Sequence, residues 1–324
     1  MKIQIPLNLV DCVVVLSLLP IFLVRLIHWI FDRHILRDNR AREIVDRFSA
    51  DYANHLSYVE IRPGRTIRVL HVRKRSSDHQ RLCIGLIHGA CARMQQFANQ
   101  IEFLVAEGFE VVSYDAVGCG GSPAPVGAAK YVSQEMYLDM LAFVEKFNPA
   151  CLIGHSMGGA MVHKLAISEE PKIRAAISLC PPAFSGKRSE MSIFKLPISL
   201  LWLIRPVLGI KARELLFGPK ASEDLRRMEK EASARNPVHM FKSFYMGVDR
   251  DFFQHQESKA QIPILLLAAD SDRICPPEGV QTYMDSSGRT ELVTLKDCGH
   301  QCMQEDADQV NGLIFGFLRK IFKL

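Results

Sequence analysis

Apolar and polar positions along this chain fall into three regimes. The first is a nearly unbroken apolar stretch at the N-terminus. From Cys12 to Val24 thirteen residues pass without a charge, and with Asn8, Asp11 and Arg25 tolerated the span runs from about 5 to 31. Crossing a bilayer takes ~20 residues at 1.5 Å rise, so a spanning helix requires Asp11 and Arg25 near the two interfaces. An in-plane helix bent at Pro20, with Trp29 and Phe31 at headgroup level, is the alternative. A cleaved leader is disfavoured, because "RLIHWIFDRHILRDNR" follows in place of a small-x-small site. Residues 1–45 are therefore expected to be a membrane anchor and juxtamembrane segment. Arg25, Arg33, Arg37, Arg40 and Arg42 follow the stretch and only Lys2 precedes it, which expects the rest of the chain in the cytosol.

The second regime alternates short apolar runs with amphipathic stretches. "HLSYVEIR" and "TIRVLHVRK" predict a hairpin around "PGR". "LCIGLI", "FEVVSY", "CLIG", "AAISLC", "PILLLAA" and "ELVTL" read as buried strands. Between most of them lie helical patterns such as "MQQFANQIEFLVAEG" and "SQEMYLDMLAFVEKF". Such alternation predicts an α/β fold with a mostly parallel central sheet and helices on both faces. The core is expected over 46–182 and 261–324.

The third regime interrupts the second. Residues 183–260 hold no convincing strand but several helical patterns, notably "FKLPISLLWLIRPVLGI" and "ASEDLRRMEKEASARN". This block predicts a helical cap inserted after strand 6. The first of the two patterns is apolar at too many positions for an ordinary solvated helix. Packing of cap on sheet explains it, and so does an acyl-binding or membrane-facing lid.

Candidate chemistry enters with "LIGHSMGG". A bare G-x-S-x-G decides little, but here Ser156 follows a buried strand and precedes an apolar-periodic helix. A nucleophile elbow requires that setting, with Gly154 and Gly158 leaving room for strained serine backbone and close strand–helix packing. A hydroxyl is a weak nucleophile and needs a base. Catalytic groups of parallel α/β sheets gather at the carboxyl ends of strands. Of eleven histidines only His300, in "DCGH", lies beyond the last strand. The orienting acid should follow "PILLLAA", where "DSDRICP" offers Asp270 and Asp272. Asp272 is preferred as farther from the strand end, with Asp270 closing the turn. Oxyanion donors are expected from the Met157 N–H and, after "CIGLI", from Ala90 in "HGAC". His88 and Gly89 shape that loop, and His155 reads as a packed neighbour.

Composition narrows the picture. The 40 Lys and Arg against 35 acidic residues give a net charge of +5, with no long basic run interleaved with aromatics, so no nucleic-acid footprint is expected. Residues 60–81 do concentrate seven Lys and Arg against Glu60 and Asp78. A solvated hairpin and a contact with anionic headgroups are the two readings of that patch. The nine cysteines contain no C-x-x-C pair, which suggests reduced intracellular thiols. Cys298, His300 and Cys302 lack the further ligands a structural zinc needs, so no metal and no cofactor are expected. Cys91, Cys119, Cys275, Cys298 and Cys302 fall in loops predicted to ring the site, as small fillers or as points of redox inactivation.

These linked motifs, "HGAC", "DAVGCGGS", "GHSMGG" and "DSDRICP" followed by "CGHQCMQEDADQVNGLIFGFL", resemble the α/β-hydrolase superfamily over about residues 55 to 324. Within it they look most like the abhydrolase domain-containing proteins. The resemblance implies an α/β-hydrolase fold and a Ser156–Asp272–His300 triad with an oxyanion hole at Ala90 and Met157. Aspartate-nucleophile members are disfavoured by Ser156. The acyl-transfer motif H-x-x-x-x-D of some members is not met, because Asp306 stands one residue too far from His300. The expected function is a membrane-anchored serine hydrolase of carboxylic esters, of lipase or esterase type. Its substrates are expected to be lipid esters such as acylglycerols or lysophospholipids. An acyltransferase using the same acyl-enzyme and a catalytically silent tethered scaffold are the alternatives.

Overall fold

The computed structural model describes residues 39–73, 82–182, 192–249, 251–253 and 259–324, together with Pro20, Leu23 and Leu26. Of the expected anchor and juxtamembrane segment, residues 39–45 are described and lie in a helix with Ala41 and Val45 buried; the rest, apart from Pro20, Leu23 and Leu26, lies outside the described residues. Among those described, no helix is long and apolar enough to cross a membrane.

The chain opens with helix α1 (Asn39–Asp51), then β1 (Leu56–Arg62) and β2 (Arg65–Val72) as the expected hairpin, turned at Gly64 with φ +70°. The rest of the core runs β3 (Cys83–Ile87), α2 (Ala98–Ala106), β4 (Glu110–Asp115), α3 (Ser133–Phe147), β5 (Cys151–His155), α4 (Met157–Ala166) and β6 (Ala175–Leu179). Between β6 and β7 the described residues form helices only: α5 (Ile198–Leu216), α6 (Glu223–Ala234) and α7 (Val238–Gly247), with 3-10 turns. Then follow β7 (Ile264–Ala269), α8 (Pro277–Gln281), β8 (Thr290–Leu295), α9 (Cys302–Glu305) and α10 (Ala307–Phe322).

The strands make one eight-stranded sheet ordered β1-β2-β4-β3-β5-β6-β7-β8. β1, β2 and β4 pair antiparallel, and every pairing from β4 through β3 to β8 is parallel. Parallel strands are covered on both faces, which is why they read as unbroken apolar runs. Phe143, Met140, Met161 and Leu165 of α3 and α4 bury one face. Ile101, Leu104, Val310 and Ile314 of α2 and α10 bury the other. The order turns back at β3, which pairs with β4 on one side and β5 on the other. This switch point puts the loops after β3 and β5 side by side, where such sheets hold ligands.

The basic hairpin is less exposed than its charge suggests. Arg62 and Arg65 both reach Asp139 of α3, Arg65 through Nε at 2.7 Å, and Arg65 and Asp139 are buried. Arg68 donates to Ser49 Oγ at 2.9 Å. These three arginines serve packing of the hairpin on α3 and α1. Lys74, Arg75 and Arg81 lie outside the described residues.

Helix α6 starts on Ser222, whose side chain accepts from Leu225 N at 3.2 Å, with Glu223 and Asp224 in its first turn. It is joined to α1 by Arg42–Glu231 at 3.1 Å, Arg235–Asp46 at 2.5 Å and Arg40–Asp224 at 3.0 Å.

Candidate active site

Ser156 stands between β5 and α4 with φ +53° and ψ −120°, a strained conformation for a non-glycine residue. Neighbouring glycines make this turn possible. A Cβ on Gly154 would overlap the Gly158 carbonyl, and one on Gly158 would overlap the Ile87 carbonyl. Strand β5, helix α4 and β3 thus approach more closely than any side chain allows. Ser156 N donates to Leu179 O at 2.8 Å, fixing the turn to β6.

The loop after β3 lies against this turn. A Cβ on Gly89 would stand 3.1 Å from Ser156 Cβ and 2.9 Å from His155 Nδ1. His88 holds the loop from below: its Nδ1 donates to Gly89 O at 2.7 Å and its Nε2 accepts from Ala116 N at 2.9 Å. Burial keeps its pKa below the ordinary histidine value, so both bonds belong to a neutral ring. Ala90 follows, and among the described residues its N–H has no hydrogen-bond partner. Met157 is the first residue of α4, where an N–H has no partner within the helix. Asp115 braces the adjacent loop, accepting from Met94 N and Gly121 N at 2.8 Å each.

The two candidate partners of Ser156 meet at the ends of β7 and β8. Asp272 Oδ2 accepts from His300 Nδ1 at 2.7 Å, and both residues are buried. The other Asp272 oxygen accepts from the amides of Ile274 and Cys275, each at 2.8 Å. Asp270 is exposed, and among the described residues its carboxylate takes only the Ser271 hydroxyl, at 3.0 Å, on the turn. Burial disfavours a charged His300, but the Cys275 sulfur and the Asp272 carboxylate outweigh it and push its pKa up to about 10.

Three residues beyond the expected set belong here. Gln96 accepts from Gly89 N at 3.1 Å and donates to His155 Nδ1 at 2.7 Å. His155 Nε2 in turn donates to His300 O at 2.8 Å, and the two rings lie 4.7 Å apart. Cys180, just past β6, is the third. Its Sγ lies 3.7 Å from Cys302 Sγ, and with Asp272 and His300 it forms a buried cluster. Nothing in "MQQF" marks Gln96 in advance. Cys180 carried a usable signal, because "AAISLC" ends at the carboxyl edge that also bears Ser156 and Asp272. The cysteines expected to invite oxidation are buried. Burial pushes Cys119 up to about 12 and Cys91 well above the ordinary thiol range, which disfavours reactive thiolates at neutral pH.

Known proteins share this architecture. A family model described as serine aminopeptidase, S33, matches residues 78–307. Protein ABHD8 of Mus musculus is 27% identical over 276 residues, which are 79% of this chain and 61% of that protein. The chain thus spans about three fifths of the curated relatives it first matches, and the resemblance to abhydrolase domain-containing proteins holds. Among solved structures, an esterase (EaEST) from Exiguobacterium antarcticum matches with TM-score 0.69 at 18% identity, covering 81% of this chain and 99% of that one. The enol-lactonase from Burkholderia xenovorans LB400 matches with TM-score 0.67 at 20% identity, covering 81% and 99%.

Proposed function

This chain belongs to the serine aminopeptidase S33 hydrolase family, within the α/β-hydrolases, and on that premise we propose that it cleaves carboxylic esters through an acyl-enzyme on Ser156. One observation carries the reading: the 2.7 Å bond between His300 Nδ1 and Asp272 at the ends of adjacent strands, beside the strained Ser156 turn. Asp272 holds the ring with Nε2 free to accept the Ser156 proton. Ser156 Oγ then attacks the ester carbonyl, and the Ala90 and Met157 N–H groups receive the oxyanion. His300 returns the proton to the leaving alcohol and activates water, which releases the acid and frees Ser156.

Lipid esters, of acylglycerol or lysophospholipid type, are the substrate class this reading favours. Its support is helix α5, on which Ile198, Leu200, Val207 and Leu215 are exposed to solvent. Exposed apolar side chains on a helix of the block between β6 and β7 suit contact with an acyl chain or a membrane face. The apolar stretch preceding α1 serves in this reading as the membrane attachment, spanning or lying in the interface.

Labelling of the membrane fraction with a fluorophosphonate probe tests the proposal. Wild type should label and Ser156→Ala should not. Failure of well-folded wild type to label, or undiminished labelling of Ser156→Ala, would overturn it. Release of free acid from a panel of lipid esters then separates lipid substrates from small ones.

A further inference from the structure

Around the candidate base and its orienting acid stand two thiols, Cys180 and Cys302, that ester cleavage does not use. Cys180 Sγ, an Asp272 oxygen and a His300 ring nitrogen all lie within 4.8 Å of one another, and all three residues are buried. Among the described residues it is the only such group of His, Cys, Asp and Glu ligand atoms. Cys302 extends it, with its Sγ 3.7 Å from Cys180 Sγ. Cys180 also holds φ +46°, a left-handed conformation that non-glycine residues rarely adopt and that tends to mark functional sites. Its backbone is fixed there by a 2.8 Å bond from Cys180 N to Leu267 O.

We propose that Cys180, Asp272 and His300, with Cys302 as fourth donor, bind a thiophilic divalent cation of the Zn2+ class, and that the bound ion switches the site off. A tetrahedral zinc site with Zn–S bonds of about 2.3 Å separates its two sulfurs by ~3.8 Å. The Cys180–Cys302 distance of 3.7 Å already matches that edge. The Cys180, Asp272 and His300 donors lie within 4.8 Å of one another, up to about 1 Å wider than a closed tetrahedron, so binding draws Asp272 and His300 toward Cys180, with Cys302 reaching the ion from its place beside Cys180. Asp272 is built for such a move. Its Oδ1 stays on the Ile274 and Cys275 amides while Oδ2 exchanges His300 for the ion. Sulfur donors select zinc, cadmium or copper(I) over magnesium or calcium. Each coordinated thiol releases its proton to solvent, and no electron is transferred.

The consequence follows from the imidazole. With Nδ1 on the metal, the remaining proton sits on Nε2, and no lone pair is left to accept a proton from Ser156. This inhibitory effect rests on the proposed role of His300; binding of the ion does not.

Ser156→Ala of the full chain, reduced and stripped of metal, keeps the two questions apart. Equilibrium dialysis with Zn2+ should find one ion per chain, and Cd2+ should give the ultraviolet charge-transfer band of cadmium–thiolate bonds. Adding Cys180→Ala or Cys302→Ala should weaken binding at least ~10-fold, whereas Cys298→Ala should not. In the Ser156 protein, Zn2+ should suppress fluorophosphonate labelling and a chelator should restore it. Each cysteine variant, compared with its own zinc-free rate, should resist that suppression. Should Cys180→Ala fail to fold, Cys302→Ala carries the same comparison. Absence of zinc binding in folded Ser156→Ala overturns the proposal, and so does binding undiminished by loss of both thiols. Zinc binding in a chain that never labels leaves the metal site standing and removes only the esterase reading.

Discussion

His155 Nε2 donates to the carbonyl oxygen of His300 at 2.8 Å, so the residue before the strained serine supports the backbone of the candidate base. Gln96 completes the line by holding both His155 Nδ1 and the Gly89 amide. Burial keeps His155 well below the ordinary histidine pKa, which leaves it neutral and able to accept from Gln96 while donating from Nε2. Gln96 is a positioning residue: it sets the loop after β3 and the loop after β8 relative to one another. Gln96→Leu should lower kcat by about 10- to 100-fold with KM little changed, since small misplacements of reacting groups cost on that order. An effect confined to KM would remove the positioning role.

The two aspartates of "DSDRICP" should separate cleanly. Asp272→Asn keeps the shape but deprives His300 of its orienting carboxylate, and kcat should fall by about 10^4-fold. Asp270, exposed and with its carboxylate bonded to Ser271 on the turn, should tolerate the same change with activity within about twofold. Steady-state rates on one ester for both variants decide it, and the reverse ranking would transfer the role to Asp270.

Alkaline pH should favour the reaction. The base must be neutral, and His300 is raised from its ordinary value to about 10, so acylation should climb as pH rises through the range above 6.5. The same shift has a stability counterpart. Protonated His300 contributes stability that is complete below its unfolded pKa and lost as pH rises through its folded one. Cys275→Ser removes the sulfur that supports the charge and should move the rising limb toward neutrality. A wild-type limb centred at or below 6.5 would contradict this account.

The hairpin rests on an ion pair that stability measurements can weigh. Asp139→Ala strands the buried Arg65 guanidinium, leaving it, among the described residues, only Glu135 at 3.9 Å as an acidic partner. Breaking a buried pair from one side costs about 3–5 kcal/mol, whereas removing one partner of an exposed pair costs at most ~1 kcal/mol. Arg47–Asp51 on α1, exposed at 3.5 Å, provides the comparison. Urea denaturation of Asp139→Ala and Asp51→Ala should show that contrast, and equal losses would mean that Asp139 is not the hairpin's main attachment.

Much of this architecture is legible along the chain because buried parallel strands cannot hide. β5 and β6 have no exposed position, and "CLIG" and "AAIS" read accordingly. The serine turn is legible for a related reason, since Gly154 and Gly158 mark where backbone meets backbone. What stayed hidden is long-range. Gln96 and His155 are 59 positions apart, and Cys180 and Cys302 are 122 apart, so only the sheet order brings each pair together. Arg62 and Arg65 of the basic hairpin mislead for the same reason. A charge pattern does not show that Asp139, 74 residues after Arg65, waits beneath them.

The three ion pairs between α1 and α6 give the N-terminal end of this chain a mechanical meaning. Arg93, in the loop that carries Ala90, bonds the Ala232 carbonyl of α6, and Gln95 reaches Ile44 O of α1 at 3.3 Å. A load applied ahead of Asn39 therefore passes through α1 to α6 and the loop after β3 as well as to the sheet, which α1 meets through Ser49 and Arg68. A restraint placed on that end of the chain would therefore also set the compass heading of α6.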